Sequence, residues 1–572
     1  MFGSGAAMIA TTPFTEMKYE RVPLDEMKAK HDELQRRLPS ADAAGIVEIV
    51  REWTRLRSRY QTMNSLNSVQ YTIDTRNATV KQERKFLDDQ EPTVEEWDTL
   101  MRRALLAHPQ LAALEKKFGR QFISSMETAV QTFDPKIAEH LRKQSDLVMQ
   151  YTDLLASAKI EFQGKTYNLS GLDQFMQNED REIRHQAAQK RFEFFQTNGS
   201  RLDQIYDDLV KLRHEMAQLL GYPNYIPLAY KLLFRTDYGP NEVAVLREEV
   251  RKHVVPLAVK IREQQKKLVG AGELKFWDLR LIDGKPAPRP LGNAETIVQN
   301  TARMYDELSP ETGEFFRMMN SRGLFDLVTR EGKAGGGYCT SFPDFGVPFV
   351  FSNFNGTKDD VEVMTHECGH AFQNWSSRNQ PLLEYQWPTY EACEIHSMGM
   401  EFLTYPWMEL YFGDEAERFR RIHMTGTIVF LPYGCLVDEF QHFVYANPGF
   451  GPAARKAQWR ELEKKYMPWT DYGDLEYPAS GGLWQVQGHI YNSPFYYIDY
   501  VLAQTCALQI WKKARGNREK ALSDYMAICA PGGSQSFLQL VKTGGLRNPF
   551  EPGVISGLAA EIDGVVKQGS TA

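Results

Sequence analysis

Residues 366–370 read His366-Glu367-Cys368-Gly369-His370, at the end of a proline-free run that starts Thr357-Lys358-Asp359-Asp360-Val361-Glu362. Such a run is compatible with an α-helix, where positions i and i+4 stand one turn apart on the same face. His366 and His370 therefore present two imidazoles on one stripe, with Glu367 at its edge. Two imidazoles so placed can grip one metal ion, and the neighbouring carboxylate can serve as a base. Cys368, about 200° round the helix from His366, points away. Gly369 lowers helix propensity and leaves room for a neighbouring backbone to approach. Thr357 or Asp359 is expected to cap the helix, whose first turn is suitably acidic.

The pattern is H-E-x-x-H, in which zinc peptidases hold the ion through two His and use the Glu as general base. A catalytic zinc takes three protein ligands and keeps one position open. A nearby third His is excluded, because Ala371–Ser376 contains neither Gly nor His. The alternative is a Glu from a second helix. Residues 390–402 form a second proline-free run, with Glu391 and Glu394 three apart and so on one face. Glu394, followed by Ser397 in a Glu-x-x-Ser pattern, is read as the third ligand. Glu391 is read as a carboxylate that orients a ligand imidazole; solvated helix charge is the alternative for both. His396 projects from another face and is expected to pack rather than ligate.

These residues, with a block near the C-terminus, resemble the thimet oligopeptidase and oligoendopeptidase F family of zinc metallopeptidases. The shared features are His-Glu-x-Gly-His, a Glu 28 residues after the first His, the preceding Asp359-Asp360-Val361-Glu362, and Gly488-His489-Ile490-Tyr491-Asn492-Ser493-Pro494-Phe495-Tyr496-Tyr497-Ile498-Asp499-Tyr500. The His followed by Pro-Phe-Tyr-Tyr-Ile-Asp-Tyr, with Leu220-Gly221-Tyr222-Pro223-Asn224-Tyr225, is most similar to the bacterial Pz-peptidase branch. The resemblance covers roughly residues 20 to 560. It implies a mainly α, two-lobed helical zincin-like fold enclosing a deep channel, with a small β-sheet beside the active site. It also implies one Zn2+ per chain and short unfolded oligopeptides as substrates, Pro- and Gly-rich collagen fragments among them. Cobalt or manganese can also suit such a ligand set.

The implied chemistry is hydrolysis by zinc-activated water with Glu367 as general base. An oxyanion then develops on the scissile carbonyl, and donors aimed at it lower the barrier. The resemblance assigns that work to His489 and Tyr500. Tyr496, four residues before Tyr500, shares its face if the segment is helical. Family branches differ by one residue here, so Tyr496 is assigned to the oxyanion and Tyr497 to substrate contact without the alternative being closed. Ser480-Gly481-Gly482 reads as a flexible loop that the resemblance folds over substrate, or as a plain turn.

Gly346-Val347-Pro348-Phe349 opens an apolar, β-rich run after Gly335-Gly336-Gly337. Pro348 confines such a strand to a sheet edge, where an extended peptide can pair through main-chain hydrogen bonds. These four residues are therefore expected to bind substrate. The triple glycine lacks the Gly-Lys-Ser/Thr ending of a phosphate loop.

The remaining sequence sets bounds. Hydrophobic residues make up 42% and charged residues 25% of the 572, an ordinary globular balance. A net charge of −7 without a basic tract argues against a nucleic-acid partner. No run reaches the ~18 apolar residues of a membrane span. The 6 Cys lack paired spacing, as free thiols of a reducing compartment do, and the first residues lack a signal peptide's basic and apolar regions. The expected location is cytoplasmic. Residues 1–19 are read as a tail or cloning remnant, 20–330 as a helical lobe and 331–565 as the catalytic region. Within the helical lobe, Ile205, Leu209, Leu212, Met216 and Leu219 form one helix face closed by Gly221 and Pro223, and further helices are expected over 137–160, 176–197 and 240–266.

Two rival readings follow from the same residues. A dipeptidyl carboxypeptidase-type exopeptidase would need a cation for the substrate's terminal carboxylate. A catalytically inactive peptide-binding protein would retain the fold without turnover.

Overall fold

A computed structural model of the chain describes residues 11–568; the first ten residues of the expected tail lie outside it. The rest of that segment is not a loose tail. Phe14 stacks on Phe342 and Phe349, and its amide donates to the carbonyl of Arg322. The fold is mainly α-helical with two small sheets, and one hydrophobic cluster runs from Met17 to Ile562 through both expected lobes.

The periodicity before residue 330 gives helices as expected, with instructive differences. The expected 176–197 helix starts only at Arg181 and runs on through 205–219 as one helix, Arg181–Leu219, whose buried face carries Ile205, Leu209, Leu212 and Met216, while Leu219 is exposed. Gly221, at φ +87°, stops it by allowing the Tyr222 amide to reach back to Ala217. The 240–266 stretch is interrupted: Pro240–Glu249 and Val255–Val269 are joined by a π-turn over Val250–Val254. Pro256 follows that turn, and lacking an N–H it cannot continue an i→i−4 ladder, so the widened turn absorbs it. A hairpin of β1 (Ile160–Phe162) and β2 (Lys165–Tyr167) interrupts the helices; its turn is Gln163-Gly164, both at positive φ.

The second sheet adjoins the site. It consists of β3 (Phe325–Val328), β4 (Tyr338–Phe342) and β5 (Val347–Phe354), in the order β3-β5-β4. The strand beginning at Val347 is thus central, and Val347, Pro348 and Phe349 are buried. Pro348 is tolerated because β3 joins β5 only from Val350 onward, so the proline pairs on one side, with Ser341 of β4. The two edges of the sheet are β3 and β4.

Three helices stack outward from this sheet in turn. The motif helix, Asp359–Ser377, packs on β5 and on the second helix, Tyr390–Leu403, which in turn packs on the tyrosine helix, Tyr497–Gly516. Gly369 is the close contact between the first two. A Cβ there would stand 2.5 Å from the carbonyl oxygen of His396 and 2.7 Å from Ser397 Cα. Neither Thr357 nor Asp359 caps the motif helix; Asp360 instead accepts from the amides of Asn355 and Gly356 and ties down the preceding turn.

Candidate active site

The Gly369 contact puts Glu394 directly over the two histidines. Its Oε2 lies 3.3 Å from His366 Nε2 and 3.5 Å from His370 Nε2. The three donor atoms all fall within 4.8 Å of one another. Tetrahedral ligands at zinc's ~2.0–2.1 Å bond lengths stand about 3.3–3.4 Å apart, so two imidazoles and a carboxylate at this spacing fit that ion. Ser397 donates to the same oxygen at 3.0 Å, which gives the Glu-x-x-Ser pattern its physical sense. Burial disfavours charge on Glu394, yet the two imidazoles hold its carboxyl well below the usual range.

Glu391 does not orient a ligand imidazole. Both its oxygens are buried without a hydrogen bond, and the groups acting on it are Asp499, Arg235 and Tyr238. The orienting carboxylate is Glu401, whose Oε1 lies 2.6 Å from His366 Nδ1 and whose Oε2 lies 2.6 Å from His423 Nε2. His423 Nδ1 meets the Tyr405 hydroxyl at 2.7 Å, completing a chain away from His366. Glu401 falls seven residues after Glu394, two helical turns on, so helical periodicity could have found it; His423 and Tyr405 left no local signal. Burial also opposes the charges of this chain, but the His366 and His423 contacts keep the Glu401 carboxyl down at about 2.

Glu367 sits beside the triad with Oε2 buried and unpartnered. Burial raises its carboxyl above the ordinary value. Gly337, at the start of β4, comes so close that a Cβ would lie 3.6 Å from Glu367 Oε1. His366, Glu367, His370 and Glu394 line a cavity of about 590 Å3 together with Gly337, Tyr338, Cys339 and Thr340 of the β4 edge. Gly346, Val347, Pro348 and Phe349 do not line it; they lie across the sheet, where β5 is covered. His396 packs, as expected, with Nε2 3.1 Å from the carbonyl of Ile528. Cys368 is buried away from the donors.

The tyrosine block forms the facing wall. The Tyr496 hydroxyl donates to Glu394 Oε1 at 2.6 Å, and the ring lies edge-on to Tyr500 at 5.2 Å. His489 stacks against Tyr496, with Nε2 3.4 Å from the Tyr500 hydroxyl. Its other nitrogen, Nδ1, accepts from Gln487 Nε2 at 2.8 Å, and Gln487 Oε1 accepts from the Tyr433 hydroxyl. This relay leaves Nε2 as the protonated, donating nitrogen. Burial pushes the His489 pKa down, which keeps the ring neutral.

Tyr497 points elsewhere. It lines a second cavity of about 400 Å3 with Phe430, Met398, Ile422 and His489, and Tyr500 separates the two cavities. Ser480-Gly481-Gly482 lines neither: Gly481 and Gly482 are buried, and a Cβ at Gly481 would stand 2.1 Å from the carbonyl of Lys456. The turn is packed against the Lys456 backbone. Among the described residues, no helix is long and apolar enough to cross a membrane.

Comparison with known proteins places the chain in a family. The sequence profile of peptidase family M3 matches residues 174–559, and that of the peptidase M3 N-terminal domain matches residues 14–133. The chain is similar to the chromosomal oligoendopeptidase F of Lactococcus lactis subsp. cremoris, 23% identical over 65% of this chain and 61% of the relative. An oligoendopeptidase F homolog of Borreliella burgdorferi is 21% identical over 63% and 61% of the two chains. The match thus spans about three-fifths of these curated relatives' length. Among solved structures, Pz peptidase A with an inhibitor is 45% identical, with a TM-score of 0.94 over 97% of this chain and 99% of the other. The oligoendopeptidase-F of Enterococcus faecium, 14% identical with a TM-score of 0.65 over 95% and 96%, shares the fold.

Proposed function

The chain belongs to peptidase family M3, and on that premise we propose that it is a zinc-dependent endopeptidase of short, unfolded oligopeptides. Pro- and Gly-rich, collagen-derived peptides are included on the motif resemblance to the Pz-peptidase branch alone. The observation that carries the reading is the convergence of His366, His370 and Glu394 in one cavity with the unpartnered carboxylate of Glu367, beside the open edge of β4.

Zinc held by His366, His370 and Glu394 would supply Lewis acidity and a nucleophile at neutral pH. Glu401 orients His366 toward it. Glu367 takes a proton from the attacking water and returns it to the leaving amine; its burial, which raises its proton affinity, suits both steps. His489 Nε2–H and the Tyr500 hydroxyl donate to the developing oxyanion, and Tyr496 holds the second oxygen of Glu394. An extended peptide adds to β4 through main-chain hydrogen bonds, which depend little on its side chains. Tyr497 contacts a substrate side chain from the second, largely apolar cavity.

An exopeptidase would anchor a terminal carboxylate on a cation. Among the described residues, the only Lys or Arg lining either cavity is Lys358, and it is paired with Asp359 and Glu362. This favours internal cleavage. The test is hydrolysis of a short, internally quenched peptide blocked at both ends, with and without a chelator, then with zinc restored. Internal cleavage lost on chelation and recovered with zinc is the expected result. Cleavage only of peptides with a free C-terminus would turn the reading to a carboxypeptidase, and binding without cleavage to an inactive binder.

A further inference from the structure

Behind Tyr496 lies a buried polar cluster that the chemistry above does not use. Arg235 follows the helix Tyr225–Leu232, far from the motif in sequence, and its side chain is fully buried, as is that of Asp499. One guanidinium nitrogen, Nη2, donates both to Asp499 Oδ1 at 2.5 Å and to the carbonyl of Phe495 at 2.7 Å. The guanidinium lies over the Tyr230 ring, 4.5 Å from its centroid.

Phe495 is the residue that needs holding. Its φ of +69° is left-handed, a conformation that costs a bulky L-residue free energy and persists only where its surroundings enforce it. Both of its backbone polar groups are enforced from outside. The carbonyl accepts from Arg235, and the amide donates to Gln441 Oε1 at 2.9 Å. The next residue is Tyr496, whose hydroxyl meets Glu394. Asp499 belongs to the first turn of the tyrosine helix, so the same arginine grips the turn and the start of the helix.

A buried ion pair is by itself weak evidence for stability, and a pair devoted to packing would have no reason to include a strained carbonyl. We propose that Arg235 is a positioning residue: by holding the Phe495 carbonyl and Asp499 together, it fixes the left-handed turn that aims the Tyr496 hydroxyl at Glu394. The proposal rests on the peptidase reading for its kinetic consequence, while its structural consequence stands independently. Lysine keeps the charge but is shorter and lacks the planar face that lies over Tyr230, so its ammonium is not held where Nη2 reaches both acceptors. A misplacement of about 1 Å at a reacting centre can cost ~10²-fold in rate.

The test is a cycle of Arg235→Lys, Tyr496→Phe and the double variant, each zinc-loaded, on a doubly blocked peptide. Arg235→Lys is expected to lower kcat by about 10–100-fold with KM little changed and zinc content intact. In the Tyr496→Phe background it should lower kcat no further. Equal losses in both backgrounds, or a loss confined to KM, would overturn the proposal. If Arg235→Lys does not fold, Gln441→Met frees the other side of the same turn without touching a buried charge, and the same non-additivity is expected. A crystal structure of the folded variant supplies the readout independent of activity. Displacement of the Tyr496 hydroxyl from Glu394 supports the proposal even if the wild-type chain cleaves nothing, and an unmoved Tyr496 defeats it.

Discussion

The two walls of the site are built by different means. The metal-ligand wall consists of side chains four residues apart on one helix and one from the adjoining helix, brought together where Gly369 lets the helices touch. The tyrosine wall begins at a strained, non-helical residue and is held mainly by side chains distant in the chain: Gln441 at Phe495, Tyr433 through Gln487 at His489, Arg235 at Asp499. The first wall follows from helical geometry and one close contact. The second is a set of donors whose aim depends on long-range packing. Damage to the first should be close to all-or-none; damage to the second should be graded.

The largest effect should come from Glu367→Gln, which keeps the size and the metal ligands but removes the base. Turnover is expected to fall by about 10²–10⁴-fold with zinc still bound, measured by steady-state kinetics beside metal analysis. Activity near wild type would take Glu367 out of the base role and weaken the distinction between the walls. Next, Glu401→Gln should loosen zinc by about 10–100-fold, read as the chelator concentration that halves activity. An unchanged affinity would mean that His366 is oriented by helix packing alone.

On the other wall, Tyr500→Phe deletes one hydroxyl and is expected to lower kcat by about 10–100-fold, within the range of lost oxyanion donors, with KM little altered. A change confined to KM would reassign Tyr500 to substrate positioning. The smallest effect concerns stability. Burial, then the neighbouring Asp499, pushes the Glu391 carboxyl up to about 8 from an ordinary 4.5. The folded chain therefore holds a proton that the unfolded chain releases, so this group's contribution to stability falls as pH rises from about 4.5 to 8 and then levels off. Glu391→Gln should flatten that slope, shifting Tm by about a few °C between pH 5 and 8 relative to wild type. Parallel melting profiles for the two proteins would show that Glu391 does not titrate in this window.

The comparison of walls also explains what could be read from the chain. Helices announced themselves through periodicity, and His366, Glu367, His370 and Glu394 through spacing, because a regular helix converts sequence distance into direction. The Gly369 contact was anticipated for the same reason. Glu391 and Glu394 share a face, so spacing alone could not tell which neighbour each would meet; packing sent one to the histidines and the other to Asp499. Strand order misled in a similar way. Pro348 does pair on only one side, but which strand ended at the open edge depended on β3 joining from a distant part of the chain.

A helical chain and the side chains that can hold a metal were legible in the residues, since those depend on local periodicity and on residue chemistry, and the peptidase likeness came from the family resemblance of the motifs. Packing decided that β4 faces the cavity, that Glu401 meets His366, that Tyr433 anchors Gln487 beside His489, and that Arg235 and Gln441 clamp the turn before Tyr496. These are contacts between residues far apart in the chain; periodicity can place Glu401 on the face of Glu394, but no local pattern names the partner in any of them. They arise only when the core closes and each buried donor must find an acceptor.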